Sequence, residues 1–140
     1  MDSYPNFDNF SQTYAAGKSQ VVWTTLVADL ETPVSAFLKL ADGTPNSFLL
    51  ESVEGGAIRG RYSFIGMKPD LIWKCYGDKA EINRNALKDA DAFEGCTENT
   101  LDSLRLLKAE CEFELPENLP PMAGGLVGYM GYDTVRLVEK

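Results

Sequence analysis

The sequence predicts an α+β domain with a mainly antiparallel sheet and helices packed on it. Short apolar or β-branched runs separated by turn-forming residues indicate strands, and stretches with a helical spacing of apolar residues fall between them. The order of strands and helices is too irregular for a doubly wound parallel sheet. A chain of 140 residues is expected to form one domain, 1–140, and to bury roughly two-thirds of its unfolded surface.

The first third of the sequence predicts a helix, a strand and a second helix. Aromatic residues three and four positions apart mark the first helix: Phe7, Phe10 and Tyr14. This helix is expected to end near Gly17, and the β-branched run Val21 to Asp29 follows as a strand. Thr32 is a suitable N-cap and Pro33 a suitable first residue for the second helix, which Gly43 would end.

The middle of the sequence predicts two strands and a hairpin. The strands are Ser47–Ser52, which ends in polar residues, and Arg59–Met67. The runs Leu71–Tyr76 and Lys79–Asn83 flank the dipeptide Gly77–Asp78, which is a hairpin signal for a type II′ or type I′ turn.

The last third predicts a loop, a helix, a linker, a strand and a final helix. The polar segment Asn85–Glu98 is expected to be a loop. A helix starting near Asn99 would present an apolar face made of Leu101, Leu104, Leu107 and Cys111. Three prolines favour an extended linker: Pro116, Pro120 and Pro121. The segment Gly124–Tyr132 is predicted to be a strand. Asp133 is expected to cap a final helix. No stop signal for this helix is visible at Lys140, which indicates a longer chain.

Composition and charge exclude several functions. The net charge of −8 disfavours binding to nucleic acid and anionic membranes. The absence of histidine excludes Ser-His and Cys-His nucleophile pairs within these residues. The three cysteines, Cys75, Cys96 and Cys111, form no Cys-x-x-Cys motif and are expected to be reduced and mostly buried. No export signal is visible at the amino terminus, so we expect a cytoplasmic protein.

Three groups of residues could carry a function. The glycine-dense stretch Gly124–Gly131 matches no nucleotide-binding motif and favours a strand that a neighbouring element approaches closely. Arg59 and Arg61 would share a strand face and either bind an anion or form ordinary surface ion pairs. Glu51 and Ser52 end a strand in a carboxylate and a hydroxyl, which suit an amino-acid ligand; a solvated strand end is the alternative.

Several motifs resemble those of anthranilate synthase component I. The first is Leu49-Leu50-Glu51-Ser52, which is followed by the run Gly60-Arg61-Tyr62-Ser63-Phe64-Ile65-Gly66. The stretch Gly124–Asp133 and the residues Arg136–Glu139 resemble the same family, as does the opening order of strand, Thr-Pro and helix. The resemblance covers the sequence from Val22 to its end.

The resemblance implies a function for the whole protein. Members of this family convert chorismate to anthranilate and pyruvate, with ammonia delivered from glutamine by a separate amidotransferase subunit. Their chemistry takes place in a carboxyl-terminal chorismate-binding domain that needs Mg²⁺. The resemblance therefore implies that 1–140 is the amino-terminal regulatory domain, without catalytic or metal-binding residues, and inactive alone. It also implies a sandwich of two sheets with helices outside, to which this chain contributes a part.

The resemblance also assigns a ligand site. In the family motif the Glu-Ser pair contacts the feedback inhibitor L-tryptophan, which places Glu51 and Ser52 in this site, with Arg61 and Tyr62 as neighbours. Two alternatives remain open. One is aminodeoxychorismate synthase component I of the folate pathway, and the other is an acidic binding module that is not an enzyme.

Overall fold

The computed structural model describes residues 3–51 and 62–139. Helices and antiparallel sheets are mixed along the chain, which confirms the α+β prediction. The helices are α1 (Phe7–Ala15), α2 (Pro33–Ala41), α3 (Thr100–Glu110) and α4 (Val135–Val138), the last preceded by a 3-10 helix at Tyr132–Thr134. The strands are β1 (Phe48–Leu50), β2 (Phe64–Gly66), β3 (Ile72–Tyr76), β4 (Lys79–Asn83) and β5 (Glu94–Gly95).

The chain divides into two units. The smaller unit comprises residues 1–30 and 108–127, and the larger unit comprises residues 31–107 and 128–140. Among the described residues, the larger unit contains two sheets, a two-stranded β1–β2 sheet and a three-stranded β3–β4–β5 sheet, both antiparallel. Packing of these sheets into a sandwich stays a prediction.

The smaller unit contains the predicted first helix. The Asn6 side chain caps α1 by accepting a hydrogen bond from the amide of Asn9 at 2.9 Å, and Gly17 ends the helical region with a φ of +67°. Tyr4 and Trp23 pair as a single antiparallel bridge with stacked rings. The predicted strand Val21–Asp29 is otherwise wrong, because in the described part of the chain only Tyr4 offers it a pairing partner.

The proline- and glycine-rich region 116–131, whose residues from 128 onward belong to the larger unit, is irregular. Backbone hydrogen bonds from Leu119 to Pro116 and from Ala123 to Pro120 close two turns, so the linker is less extended than predicted. The predicted strand Gly124–Tyr132 is wrong in this structure, where residues 124–131 have no assigned strand. A strand needs hydrogen bonds to a second strand, which sequence composition alone does not supply.

Helix α2 begins as the sequence predicts. Thr32 and Ser35 form a reciprocal capping box, with Pro33 in the first turn. The Glu31 carboxylate accepts hydrogen bonds from the Lys39 ammonium and the Ser35 hydroxyl, and both lower its pKa. The last residue of α2, Ala41, is buried.

The β1–β2 pair has a register that depends on a glycine. Phe48 lies opposite Gly66, Leu49 opposite Ile65, and Leu50 opposite Phe64. The Phe48 ring covers Gly66 so closely that a Cβ atom on Gly66 would overlap the ring. The aromatic ring thus occupies the space that the missing side chain leaves on this face of the sheet.

The β3–β4 hairpin is confirmed with its two-residue turn. Gly77 has a φ of +58°, whereas Asp78 is not among the residues with positive φ, which agrees with type II′ rather than type I′. The predicted loop 85–98 contains strand β5, which extends the hairpin to three strands. The fully buried Asn83 holds this loop, since its side chain donates to the Asp89 carbonyl at 2.7 Å and accepts from the Asn85 amide at 2.8 Å.

Helix α3 packs on the hairpin through polar side chains. The Thr100 hydroxyl donates to the Gly77 carbonyl at 2.8 Å, and Trp73 Nε1 donates to the Ser103 hydroxyl at 3.2 Å. Thr100, Ser103 and Leu107 form its buried face. The predicted apolar face is therefore only partly right. Leu107 is buried, and the other three residues, Leu101, Leu104 and Cys111, are half-buried.

The last helical segment begins differently from the prediction. Asp133 lies within the 3-10 helix, whose N-cap is Gly131, and α4 has no side-chain cap. Asp133 instead forms an exposed ion pair with Arg136 at 3.3 Å. Among the described residues, the buried hydrophobic side chains are Ala41, Ala80 and Leu107.

The three cysteines are free thiols and half-buried rather than mostly buried. Cys75 lies opposite Ala80 in the β3–β4 register, and the Cys96 amide donates to the Ala80 carbonyl at 2.8 Å from the other side. Two strand spacings therefore separate Cys75 from Cys96, about 9.5 Å between backbones. A disulfide needs Cα atoms closer than about 7 Å, so these two thiols cannot bridge without rearrangement of the sheet.

The Phe48–Gly66 contact yields a stability prediction. Gly66→Val forces the Phe48 ring out of its place and is expected to lower the free energy of unfolding by about 1–3 kcal/mol. Gly95→Val is the matched control, because a Cβ on that exposed strand residue meets nothing within 4 Å. Urea unfolding of both variants measures the difference. Equal effects of the two substitutions would contradict the packing described.

The start of α3 yields a pH prediction. Asn99 and Arg105 donate hydrogen bonds to the Asp102 carboxylate at 2.7 and 2.6 Å, and both lower its pKa below the ordinary 3.8. The resulting stabilisation is fully present above that ordinary value and is lost as pH falls through the lower folded value. Asp102→Asn should therefore destabilise the chain at neutral pH, with the difference from the parent shrinking under acid.

Urea unfolding between pH 7 and pH 2 measures the difference in free energy of unfolding between the parent and Asp102→Asn. Glu117→Gln, which removes a charge from an exposed loop residue, is the control. A parent–variant difference that stays constant with pH would refute the role of the Asp102 charge.

The cysteine geometry yields a chemical prediction. Denatured, unreduced protein should react with three equivalents of a thiol reagent, because Cys75 and Cys96 are held apart across β4. Intact-mass measurement after alkylation counts the thiols. A mass two hydrogens lower, with one reactive thiol, would show a disulfide, and a disulfide mapped to Cys75 and Cys96 would contradict the sheet register.

Candidate functional site

The β1–β2 sheet places two of the four predicted ligand residues. Glu51 directly follows the last residue of β1, and Tyr62 lies two residues before β2. Because Leu50 pairs with Phe64 in an antiparallel register, the end of β1 and the start of β2 lie at the same end of the sheet. Glu51 and Tyr62 are therefore both at this end, one on each side of the connection between the strands.

The other two predicted residues, Ser52 and Arg61, lie outside the described residues, as do Arg59 and Glu54, a carboxylate expected beside the two arginines. All four belong to the connection between β1 and β2 by their position in the sequence. The predicted anion site at Arg59 and Arg61 stays a prediction for the same reason.

The described side chains at this end differ in chemistry. Glu51 is exposed and forms no ion pair with another described residue. The Tyr62 ring is 47% exposed and contacts the Phe64 ring, with centroids 6.2 Å apart and planes at 48°. A carboxylate can accept hydrogen bonds from an ammonium group, and two tilted rings offer an aromatic surface to a planar apolar group.

Phe64 is a residue that the sequence reasoning did not assign to the site. The signal was present, since residues two apart on a strand share a face. The spacing of Tyr62 and Phe64 therefore predicts the ring contact once β2 is placed at Phe64–Gly66. The structure adds the pairing of Phe64 with Leu50, which connects the aromatic pair to the strand that Glu51 follows.

The described residues also form a surface cavity of about 420 Å³ at the other sheet. It lies beside the β3–β4 turn and the start of α3, and includes neither Glu51 nor Tyr62. Three carboxylates line it, Asp78, Glu81 and Glu98, against the single cation of Lys79. This charge repels the carboxylate of an amino-acid ligand, so the end of the β1–β2 sheet is the better candidate for such a ligand.

Residues 3–51 and 62–139 contain no cluster of three or more carboxylate or thiol side chains that could hold a metal ion. Within the same ranges, every helix is too short or too polar to cross a bilayer.

Comparison with known proteins finds relatives for almost the whole chain. It is 53% identical over 134 residues to a protein of Cereibacter sphaeroides named anthranilate synthase component 1, covering 96% of this chain and 27% of the relative. Proteins of the same name match from Synechocystis, at 42% identity over 137 residues, and from Pseudomonas aeruginosa, at 39% over 136 residues. Each alignment again covers 96% of this chain, and 26% and 27% of the relative.

The chain thus spans about a quarter of the length of the curated relatives it matches. No family model matches the sequence, and no solved structure matches it.

Proposed function

This chain is a homologue of a segment of anthranilate synthase component 1, and we propose that it is the amino-terminal regulatory part of such an enzyme. The whole enzyme, in this proposal, is a lyase of tryptophan biosynthesis in the cytoplasm. It converts chorismate and ammonia to anthranilate and pyruvate. The observation that carries the proposal is the identity of up to 53% across 96% of the chain.

The catalytic machinery is assigned to the part of the enzyme outside these residues. Chorismate and Mg²⁺ bind there, and a glutamine amidotransferase subunit, the partner of this enzyme, supplies the ammonia. Mg²⁺ would neutralise substrate carboxylates in that domain. The 140-residue chain alone is expected to form no anthranilate from chorismate, Mg²⁺ and ammonium.

The function proposed for this segment is feedback inhibition by L-tryptophan. Glu51 would accept hydrogen bonds from the ligand ammonium, and Ser52 would bind a polar atom of the ligand. Arg61 would pair with its carboxylate in the same connection. The Tyr62–Phe64 ring pair offers an apolar surface for the indole. The support from the structure is that β1–β2 pairing brings Glu51 and Tyr62 to one end of a sheet.

The charge of Glu51 provides the sharpest test of this site. Glu51→Gln in the full-length enzyme keeps the size of the side chain and removes its charge. A hydrogen bond to a charged group contributes roughly 1.5–3 kcal/mol. The tryptophan concentration for half inhibition should therefore rise about ten- to a hundredfold, while uninhibited turnover persists. Anthranilate fluorescence against tryptophan concentration measures both quantities.

Two matched controls accompany this variant. Glu94→Gln removes an exposed carboxylate from the other sheet and is the control for Glu51→Gln. Tyr76→Ala removes an exposed tyrosine from the hairpin and is the control for Tyr62→Ala, which removes a ring proposed to contact the indole. Both controls should leave inhibition unchanged. An inhibition curve for Glu51→Gln that overlays the parent curve would refute the assignment. Identifying the product as aminodeoxychorismate would move the chain to the folate-pathway alternative.

A further inference from the structure

The turn between α2 and β1 contains an asparagine in an uncommon backbone conformation. Asn46 is exposed and has a φ of +55°, in the left-handed region that residues other than glycine rarely adopt. It follows Pro45, and a proline followed by a residue with positive φ is typical of a type II turn. No hydrogen bond to another described residue restrains the Asn46 side chain.

The backbone amide that follows Asn46 is not hydrogen-bonded. The Ser47 hydroxyl donates to the Thr44 carbonyl at 2.6 Å, and this carbonyl is the acceptor that the Ser47 amide would have in a closed β-turn. Within the described part of the chain, the Ser47 amide itself donates no hydrogen bond. An exposed carboxamide and an unbonded amide nitrogen are therefore neighbours in the chain, and the small Ser47 side chain hinders access to this nitrogen little.

Two other exposed asparagines also precede a small residue, but the following amide is hydrogen-bonded in both cases. The Ala86 amide, after Asn85, donates to a backbone carbonyl at 3.2 Å. The Thr100 amide, after Asn99, donates to the Asp78 carboxylate at 3.3 Å, and Thr100 is 1% exposed. The chain thus offers two internal comparisons for the turn at Asn46.

We propose that Asn46 is a site of spontaneous deamidation. The Ser47 amide nitrogen, after losing its proton to hydroxide, attacks the side-chain carbonyl carbon of Asn46. The new C–N bond closes a succinimide ring, while the carboxamide C–N bond breaks and its nitrogen takes up a proton and leaves as ammonia. Water then adds to either carbonyl of the ring and opens it, which gives aspartate or isoaspartate at position 46.

The structure favours this reaction at Asn46 over the other two sites. Attack requires rotation about the bonds of the asparagine until the following nitrogen reaches the side-chain carbon. At Asn46 this rotation breaks no hydrogen bond of the attacking amide, whereas at Asn85 and Asn99 that bond must first be broken by local opening. The left-handed conformation of Asn46 also costs free energy in the native state, so departure from it is opposed less than at an ordinary position.

Conversion to isoaspartate would alter the chain at the start of β1. Isoaspartate adds a methylene group to the main chain and a negative charge to a sequence that already carries −8. The next two residues make the contacts described above, the Ser47 hydroxyl with Thr44 and the Phe48 ring with Gly66. We therefore expect isoaspartate to weaken the β1–β2 pair. This modification goes beyond the proposed function and does not depend on tryptophan binding at the other end of the sheet.

Peptide mapping after incubation of the protein at pH 8 tests the proposal. The mass gain of an amide-to-acid conversion, localised by fragmentation, is followed at Asn46, Asn85 and Asn99. The same protein unfolded in guanidinium chloride gives the reactivity that each following residue sets by itself. The folded-to-unfolded rate ratio at Asn46 should exceed the other two ratios by at least about fivefold, since no amide hydrogen bond protects it. Equal ratios at the three sites, or no conversion at Asn46, would overturn the proposal.

The products and the pH dependence test the succinimide route. The rate at Asn46 should rise from pH 7 to pH 9, because the deprotonated amide is the nucleophile, and both aspartate and isoaspartate should form. Aspartate as the sole product would indicate direct hydrolysis by water and contradict attack by Ser47. Isomerisation of Asp42, which precedes Gly43 nearby, leaves the mass unchanged and is not counted as deamidation.

Two variants test the effect on β1. Asn46→Asp adds the charge without the extra methylene, and Asn46→Gly suits the positive φ and has no carboxamide to lose. Incubated parent protein enriched in isoaspartate should have its unfolding equilibrium shifted by about fivefold or more toward unfolding, relative to Asn46→Asp. Incubated Asn46→Gly controls for other chemical damage and should show no shift. Parent protein that unfolds like Asn46→Asp after conversion would contradict the predicted effect on β1.

Discussion

Partly buried hydrogen bonds of polar side chains, two of them to backbone carbonyls, stabilise the arrangement of the larger unit. Thr100 binds the turn at Gly77, Ser103 binds Trp73, and Asn83 binds the loop that leads to β5. A buried polar group that loses its partner costs free energy, whereas apolar contacts tolerate sliding. The observed position of α3 on the hairpin satisfies the Thr100 and Ser103 side chains. The polar contacts therefore favour this position of α3, and Ala80 and Leu107 are buried apolar residues of the same unit.

The elements that sequence reasoning predicted correctly depend on neighbours in the sequence. Thr32 and Pro33 start α2 through a local capping box, and Gly77 sets the hairpin turn through its own φ. The strands predicted at Val21–Asp29 and Gly124–Tyr132 failed because a strand depends on a partner elsewhere. Apolar β-branched composition indicates that a segment can pair, and it carries no information on whether the partner is present.

The candidate site likewise combines features that the sequence predicts with features that depend on residues elsewhere in the chain. The motif around Glu51 and Tyr62 was found from the sequence by resemblance, with Glu51 predicted near the end of one strand and Tyr62 within the next. That they lie at the same end of a sheet follows from the pairing of Leu50 with Phe64, which spans residues far apart in the chain. The contribution of Phe64 could have been predicted from the period of two in a strand. The acidic cavity could not, because it depends on how the hairpin tip packs beside α3.

The different lengths of the two connections in the larger unit imply an order of folding. A two-residue turn closes the β3–β4 hairpin at little entropic cost, whereas β1 and β2 must meet across the connection 51–63. The hairpin is therefore expected to form early and the β1–β2 pair late, and the late pair is the first to open from the native state. A small molecule that contacts both ends of the connection binds only the closed pair. By mass action such a ligand would stabilise the paired strands. Ligand binding at this end of the sheet would therefore slow the local opening of β1 and β2.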